Sequence, residues 1–378
     1  MKASTFRRVM LSIGAPVAAV VFAVTLSSIV LLLAGSNPIT AYSDMLENAS
    51  RLETFVDIIN RATPLYISAV AAAIGFRMNL FNIGVEGQYL LAAFFAAVVG
   101  GAVSLPPVLH VTLILVVAMS VGAGYAGFAG VLKVSRGINE VIATIMLNFI
   151  AVGGIIAWLV REFQDDTGAT NSGTTPIPES GRLPNLNGVL EIFTREVSKG
   201  RELTSVLIIA IVVGIAYHLF INRTRVGFDF RASGFNPLAA RAGGVPPKKM
   251  IMYAMLLSGA CAGLVGMVEI LSESFKYDQS FVRGLGFGGI AVALLGRNSP
   301  GGIAVAALLF GFLDSSSGIL QITGSATPEI VVIMQGIIVL AAVVAYEVVS
   351  RIKQRDEASA AAAATERTPD AELEGAAS

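Results

Sequence analysis

The chain has 378 residues, 54% of them hydrophobic and only 14% charged, with a formal net charge of zero; an ordinary soluble domain carries roughly 25% charged residues. A neutral chain this apolar has no bulk attraction to nucleic acid, so no nucleic-acid partner is expected. The lone cysteine, Cys261, and two distant histidines, His110 and His218, exclude a disulfide framework and offer no metal-ligand spacing.

Apolar runs approaching the roughly 20 residues that a bilayer core requires fall at 10–33, 62–76, 89–104, 108–128, 139–160, 204–221, 250–271, 285–296, 301–320 and 329–349. The first follows Lys2, Arg7 and Arg8 and outlasts the apolar region of a signal peptide, about 7–15 residues, so it reads as a retained span. The runs 62–76 and 285–296 are short and lead into Gly-rich polar sequence. They read as tilted, broken or re-entrant helices, which are tolerated at depth only where protein or a wet cavity covers the backbone.

Charge orients the spans, because basic residues favour the cytoplasmic side. The N-terminal stub is basic, loop 35–60 carries Asp44, Glu47, Glu53 and Asp57 against Arg51, and Lys133 and Arg136 follow the fourth run. Segment 161–203 is acidic and reads as external. Loop 222–249 holds Arg223, Arg225, Arg231, Arg241, Lys248 and Lys249 against Asp229, and Arg351, Lys353 and Arg355 close the last run. Ten spans with both termini cytoplasmic satisfy every loop. The expectation is an all-α polytopic membrane protein of about ten transmembrane helices over 1–350, with short or broken helices near 62–88 and 285–300. Residues 351–378 lack apolar periodicity and are expected to form a disordered cytoplasmic tail.

Four polar stretches interrupt this pattern. Between the second and third runs lies Arg77-Met-Asn79-Leu-Phe81-Asn82-Ile-Gly84-Val-Glu86-Gly87-Gln88. Polar groups of this density should not face lipid. Their amides and carboxylate suit a polyhydroxyl or heterocyclic solute; alternatively Glu86 pairs with Arg77 and the asparagines cap helix ends. Next, Asn139 is placed to cap the fifth run, where Glu140, Thr144 and Asn148 recur every four residues on one face, either toward solute or as hydrogen-bonding glue between helices. In the basic loop, Asn236-Pro237-Leu238-Ala239-Ala240-Arg241-Ala242-Gly243 spells a complete short helix. It has an Asn cap, Pro at the first position, an alanine-rich interior and a terminating Gly243 expected in the left-handed region. It suits docking on another protein or tucking onto the membrane face. Finally, Gly284 to Gly302 looks like a broken span, and Arg297-Asn298 echoes Arg77 and Asn79, a hint of internal duplication.

No GxxxxGK[ST] phosphate loop and no Gly-Lys pair occurs, nor any HExxH or GxSxG. No catalytic, metal or cofactor residue is therefore expected in this chain. If transport is ATP-driven, another chain binds ATP and Mg. A secondary transporter would need intramembrane acids, for which Glu86, Glu140, Glu269 and Asp314 are the candidates.

FNIGVEGQ at 81–88, EVIATIMLNFIA at 140–151, the 231–249 loop and LLSGACAGLVG at 256–266 together resemble permease subunits of bacterial ABC importers. The resemblance is to the branched-chain amino acid, ribose and nucleoside superfamily, and within it to the nucleoside or simple-sugar group. It covers about 60–350. It implies a permease domain in the bacterial plasma (inner) membrane and pairing with a second, homologous or identical permease subunit. It also implies a cytoplasmic ABC ATPase docked on a coupling helix formed by Asn236, Pro237, Leu238, Ala239, Ala240, Arg241 and Gly243, and a solute-binding lipoprotein outside. Many such coupling motifs begin Glu-Ala-Ala; here Leu238-Ala239-Ala240 stands instead. Asn79, Phe81, Asn82, Glu86, Gln88, Thr144 and Asn148 are the expected substrate-pathway residues, and nucleosides or ribose-like sugars the expected solutes.

Overall fold

Lipid offers no partner for backbone N–H and C=O groups, so an apolar run satisfies itself as helix. The computed structural model describes residues 20–163, 173–188 and 202–375. Among these, regular structure is helical apart from one isolated bridge between Gly173 and Asp278.

Helix α1 is Val20–Leu33, α2 Pro38–Ala49, α3 Leu52–Phe76, α4 Val85–Ala102 and α5 Pro107–Arg136. Helix α6, Glu140–Glu162, is one span whose middle, Ile150–Ile156, winds as wide π turns. Then follow α7 Val206–Arg223, α8 Arg225–Phe235, α9 Pro237–Ala242, α10 Pro247–Gly263, α11 Leu285–Leu295, α12 Pro300–Thr323 and α13, Pro328–Gly375. Among the described residues, seven helices are long and apolar enough to cross a membrane, or up to eight if the bent pair α1 and α2 is one broken span.

The expected ten runs thus do not all become full spans. Run 250–271 breaks after Gly263 into a turn and a π turn at Glu269–Glu273, and 285–296 is an 11-residue helix. Run 62–76, expected to be short, starts ten residues earlier at Leu52. Its first turns carry Glu53, Asp57, Asn60 and Arg61, which mask the span in a purely apolar reading. Residues 10–19 of the first run, and 164–172 and 189–201 of the external segment, lie outside the described residues. Over 351–375 the backbone continues as helix where the composition suggests a disordered tail; Ala360–Ala364 supplies the strongest helix formers.

The chain divides into two units. In the unit formed by 1–41 and 325–378, Ala23 on α1 packs with Ile337 and Ala341 on α13, flanked by Leu26, Val30 and Ile338. In the unit 42–324, α3 is central. It packs on α7, α10, α11 and α12, and Ala69–Ala73 are wholly buried. Without a hydrophobic drive inside lipid, helices associate by close backbone approach at small residues. Between α5 and α10, Gly122 and Gly259 approach so closely that a Cβ on either would overlap the other's backbone, and Gly263 stands likewise against Ala118.

Candidate functional site

The turn between α3 and α4 is shaped by Asn79, which adopts φ 54°, a conformation Asn tolerates better than most side chains. Leu80 N–H donates to Gly75 O at 3.0 Å, closing α3. Beyond it, Asn82 and Gln88 form a reciprocal amide pair: Asn82 Nδ2 donates to Gln88 Oε1 at 2.9 Å and Gln88 Nε2 to Asn82 Oδ1 at 2.8 Å. Asn82 Nδ2 also donates to Ser258 Oγ at 2.9 Å, and Ser258 Oγ to Ala71 O at 2.6 Å. Both amides and the hydroxyl are buried, so α3, α4 and α10 are tied through one satisfied network.

Glu86, also buried, does not pair with Arg77. Its Oε1 accepts Gly284 N–H at 2.6 Å and its Oε2 Gly286 N–H at 2.8 Å. Those are free donors at the start of α11, where the helix dipole also favours a carboxylate. Gly284 adopts φ +92°, and a Cβ on Gly286 would overlap the Glu86 backbone. Tyr89 OH lies 3.2 Å from Glu86 Oε1 and 2.9 Å from Val282 O.

Helix α6 supports the same turn. Asn139 caps it as expected, accepting from Val141 N–H at 2.8 Å. Asn148 Oδ1 accepts Gly87 N–H at 2.9 Å and its Nδ2 donates to Ile83 O at 2.8 Å, so it satisfies a free donor in the first turn of α4. Thr144 turns its hydroxyl back to Glu140 O at 2.7 Å, and Glu140 forms an ion pair with Lys133 on α5. Asn82, Glu86, Gln88, Thr144 and Asn148 are therefore brought together, buried and bonded to protein, whereas Asn79 and Phe81 are exposed, Phe81 by 45%. Ser258, Gly284 and Gly286 complete the cluster without having been singled out as partners. Ser258 lies within LLSGACAGLVG, but nothing local marks it as facing Asn82.

Arg77 instead reaches the turn after α11. Its Nη2 donates to Asn298 O at 2.8 Å, which also accepts Tyr217 OH at 2.8 Å. Arg297 and Asn298 adopt φ 56° and 53°, so the two Arg–Asn turns noted in the sequence share left-handed backbone and touch each other. At the opposite end of α4, His110 bridges Ser180 Oγ and Gly100 O, both at 2.9 Å. This clamps segment 177–182, where Arg182 stands 4.3 Å over the Phe275 ring. Tyr277 stacks on Phe281, and burial pushes its phenol up to about 12.

The short helix of the basic loop forms as expected. Asn236 Oδ1 accepts from Leu238 and Ala239 N–H, both at 3.0 Å. The left-handed residue is Gly244 at φ +84°, not Gly243 at φ −78°. Only Ala240 is buried; Pro237, Leu238, Ala239 and Arg241 are exposed, Leu238 by 81%, and the preceding Phe235 by 95%.

Long apolar helices around a buried polar turn, with one helix presented outward, define a multi-pass helical membrane protein. The chain belongs to the family described as branched-chain amino acid transport system / permease component, whose pattern matches residues 54–343. It is 34% identical to the guanosine ABC transporter permease protein NupP of Bacillus subtilis, covering 86% of this chain and 91% of that protein. It is 32% identical to the nucleoside ABC transporter permease protein NupB of Lactococcus lactis subsp. cremoris, covering 86% and 88%. The glucose ABC transporter permease protein TsgB13 of Haloferax volcanii is 30% identical, with 87% of each chain covered. No solved structure matches the chain.

Proposed function

We propose that the chain is the pore-forming permease subunit of an ATP-binding-cassette importer for nucleosides. The observation that carries this is the likeness, along 86% of the chain, to permeases named for guanosine and for nucleosides. The likeness to a permease named for glucose keeps a simple sugar as the second reading of the solute. ATP and Mg sit on a separate cytoplasmic ABC ATPase, since this sequence carries no phosphate loop. Exposed Phe235 and Leu238 beside the capped helix α9 are the surface on which that ATPase docks, the coupling segment running Asn236 to Gly243. A second permease subunit completes the pore, and an external solute-binding lipoprotein delivers the solute.

Ten membrane segments with cytoplasmic termini remain the preferred topology. The seven long spans and the broken first one are joined by α10 and by the shorter α11 as part of a broken span. Asn79 and Phe81 face the pathway, and Asn82, Glu86, Gln88, Thr144 and Asn148 hold the turn that presents them.

Uptake of labelled guanosine in cells with and without the gene, competed by unlabelled nucleosides, free bases and ribose, tests the reading. Loss on deletion with competition by nucleosides alone supports it. Competition by ribose alone moves the solute to sugars.

A further inference from the structure

Resting on the permease reading above, we propose that Arg77 is a positioning residue that carries movement of the coupling helix α9 to the turn between α11 and α12.

The contacts form an unbroken chain. Only Asn236 separates α8 from α9. Two residues before that cap, Gly234 lies directly on the backbone of the α3–α4 turn. A Cβ there would stand 2.7 Å from the Met78 carbonyl carbon, 2.8 Å from Met78 Cα and 3.0 Å from Arg77 O. A displacement of α9 that pushes Gly234 toward this turn therefore meets main chain, not a yielding side chain. Arg77 in turn reaches across to Asn298 O, and its Nε lies 3.4 Å from the Tyr217 hydroxyl that accepts from it. Tyr217 OH donates to the same Asn298 carbonyl. Among the described residues no carboxylate forms an ion pair with Arg77, so a neutral carbonyl and a phenol hold a guanidinium.

Two further observations set this junction apart from the rest of the helix contacts. Arg297 and Asn298 are both in left-handed backbone, a strained pair for non-glycine residues. Ser233 Oγ and Asn298 Oδ1 are buried with no hydrogen-bond partner among the described residues. Unsatisfied buried groups are rare and call for a reason; here one sits on each side of the Arg77 link. Asn298 thus offers a spare acceptor beside the one in use. Because Glu86 ties α4 to the start of α11, a shift at the end of α11 passes along a helix whose beginning is fixed.

The test uses the complete importer, purified from native membranes through a tag on this chain and reconstituted in proteoliposomes with labelled guanosine inside the binding-protein compartment. Arg77→Met keeps the stem and removes the donors; Arg77→Lys restores one; Tyr217→Phe keeps the ring and removes one link. Guanosine moved per ATP hydrolysed is expected to fall about threefold to tenfold in Arg77→Met, the range in which substitutions along a coupling route act. The fall is smaller in Tyr217→Phe and partly reversed in Arg77→Lys, while ATP hydrolysis persists. If Arg77→Met fails to assemble, Tyr217→Phe decides. An unchanged ratio in the assembled variants, or hydrolysis and transport falling in proportion, overturns the role of Arg77. Absence of ATP-driven transport in the unaltered complex would instead overturn the permease reading itself.

Discussion

The carboxylate of Glu86 closes the start of a helix that lies 200 positions further along the chain, its Oε2 accepting the N–H of Gly286 at 2.8 Å. A buried acid placed this way is a cap, and its role is to hold α11 against α4. Glu86→Ala leaves the buried Gly286 N–H and the Gly284 N–H without their acceptor and is expected to lower stability by about 2–3 kcal/mol, the scale of a lost charged hydrogen bond. Glu86→Gln keeps one acceptor but turns an NH₂ toward an N–H, and falls between the two. Thermal unfolding of the detergent-solubilised protein orders the three. Equal melting temperatures with selective loss of transport would assign Glu86 to ion coupling instead.

Gly87 and Asn148 make a second, separable prediction. A Cβ at Gly87 would sit 2.9 Å from Asn148 Oδ1 and 3.0 Å from Ala151 Cβ. Gly87→Ala therefore overpacks the α4–α6 contact at about 1–3 kcal/mol, and Asn148→Ala strands Gly87 N–H and Ile83 O at about 1–3 kcal/mol. Removing the Asn148 amide relieves one of the clashes, so the double variant is expected to cost less than the sum. Strict additivity in a thermal-shift cycle would contradict direct contact.

At the coupling segment the expectations for stability and assembly part. Leu238 is exposed, so Leu238→Ser leaves stability within about 0.5 kcal/mol while sharply reducing the ATPase that co-purifies with a tagged chain. Asn236→Ala removes the cap and costs about 1 kcal/mol locally, weakening assembly through a frayed α9. Full retention of ATPase in Leu238→Ser would move the docking surface elsewhere.

What the sequence made legible follows the physics of each element. Long apolar runs such as 108–128 announce α5, because lipid leaves helix as the only self-satisfied backbone. The Asn236–Gly243 cap signals are local and read off directly, though the left-handed role fell to Gly244. The start of α3, Leu52–Ile59, is not legible as apolar sequence, since Glu53, Asp57, Asn60 and Arg61 dilute its signal. The polar cluster was found as residues but not as partners: Asn82 meets Ser258 and Glu86 meets Gly284 across separations of 176 and 198, and no local rule encodes such pairs. Arg77 pairing with Glu86 was the simpler local expectation; the structure sends Arg77 to Asn298 because Glu86 is taken by the α11 N-terminus.

The most direct test of the whole account is the energy source. The importer complex, reconstituted with its binding protein, is supplied with labelled guanosine and either ATP or an imposed proton or sodium gradient. Accumulation that requires ATP hydrolysis and survives collapse of both gradients is the predicted result. Accumulation driven by a gradient without ATP would contradict it, and would return Glu86 and Glu140 to the role of ion-coupling acids.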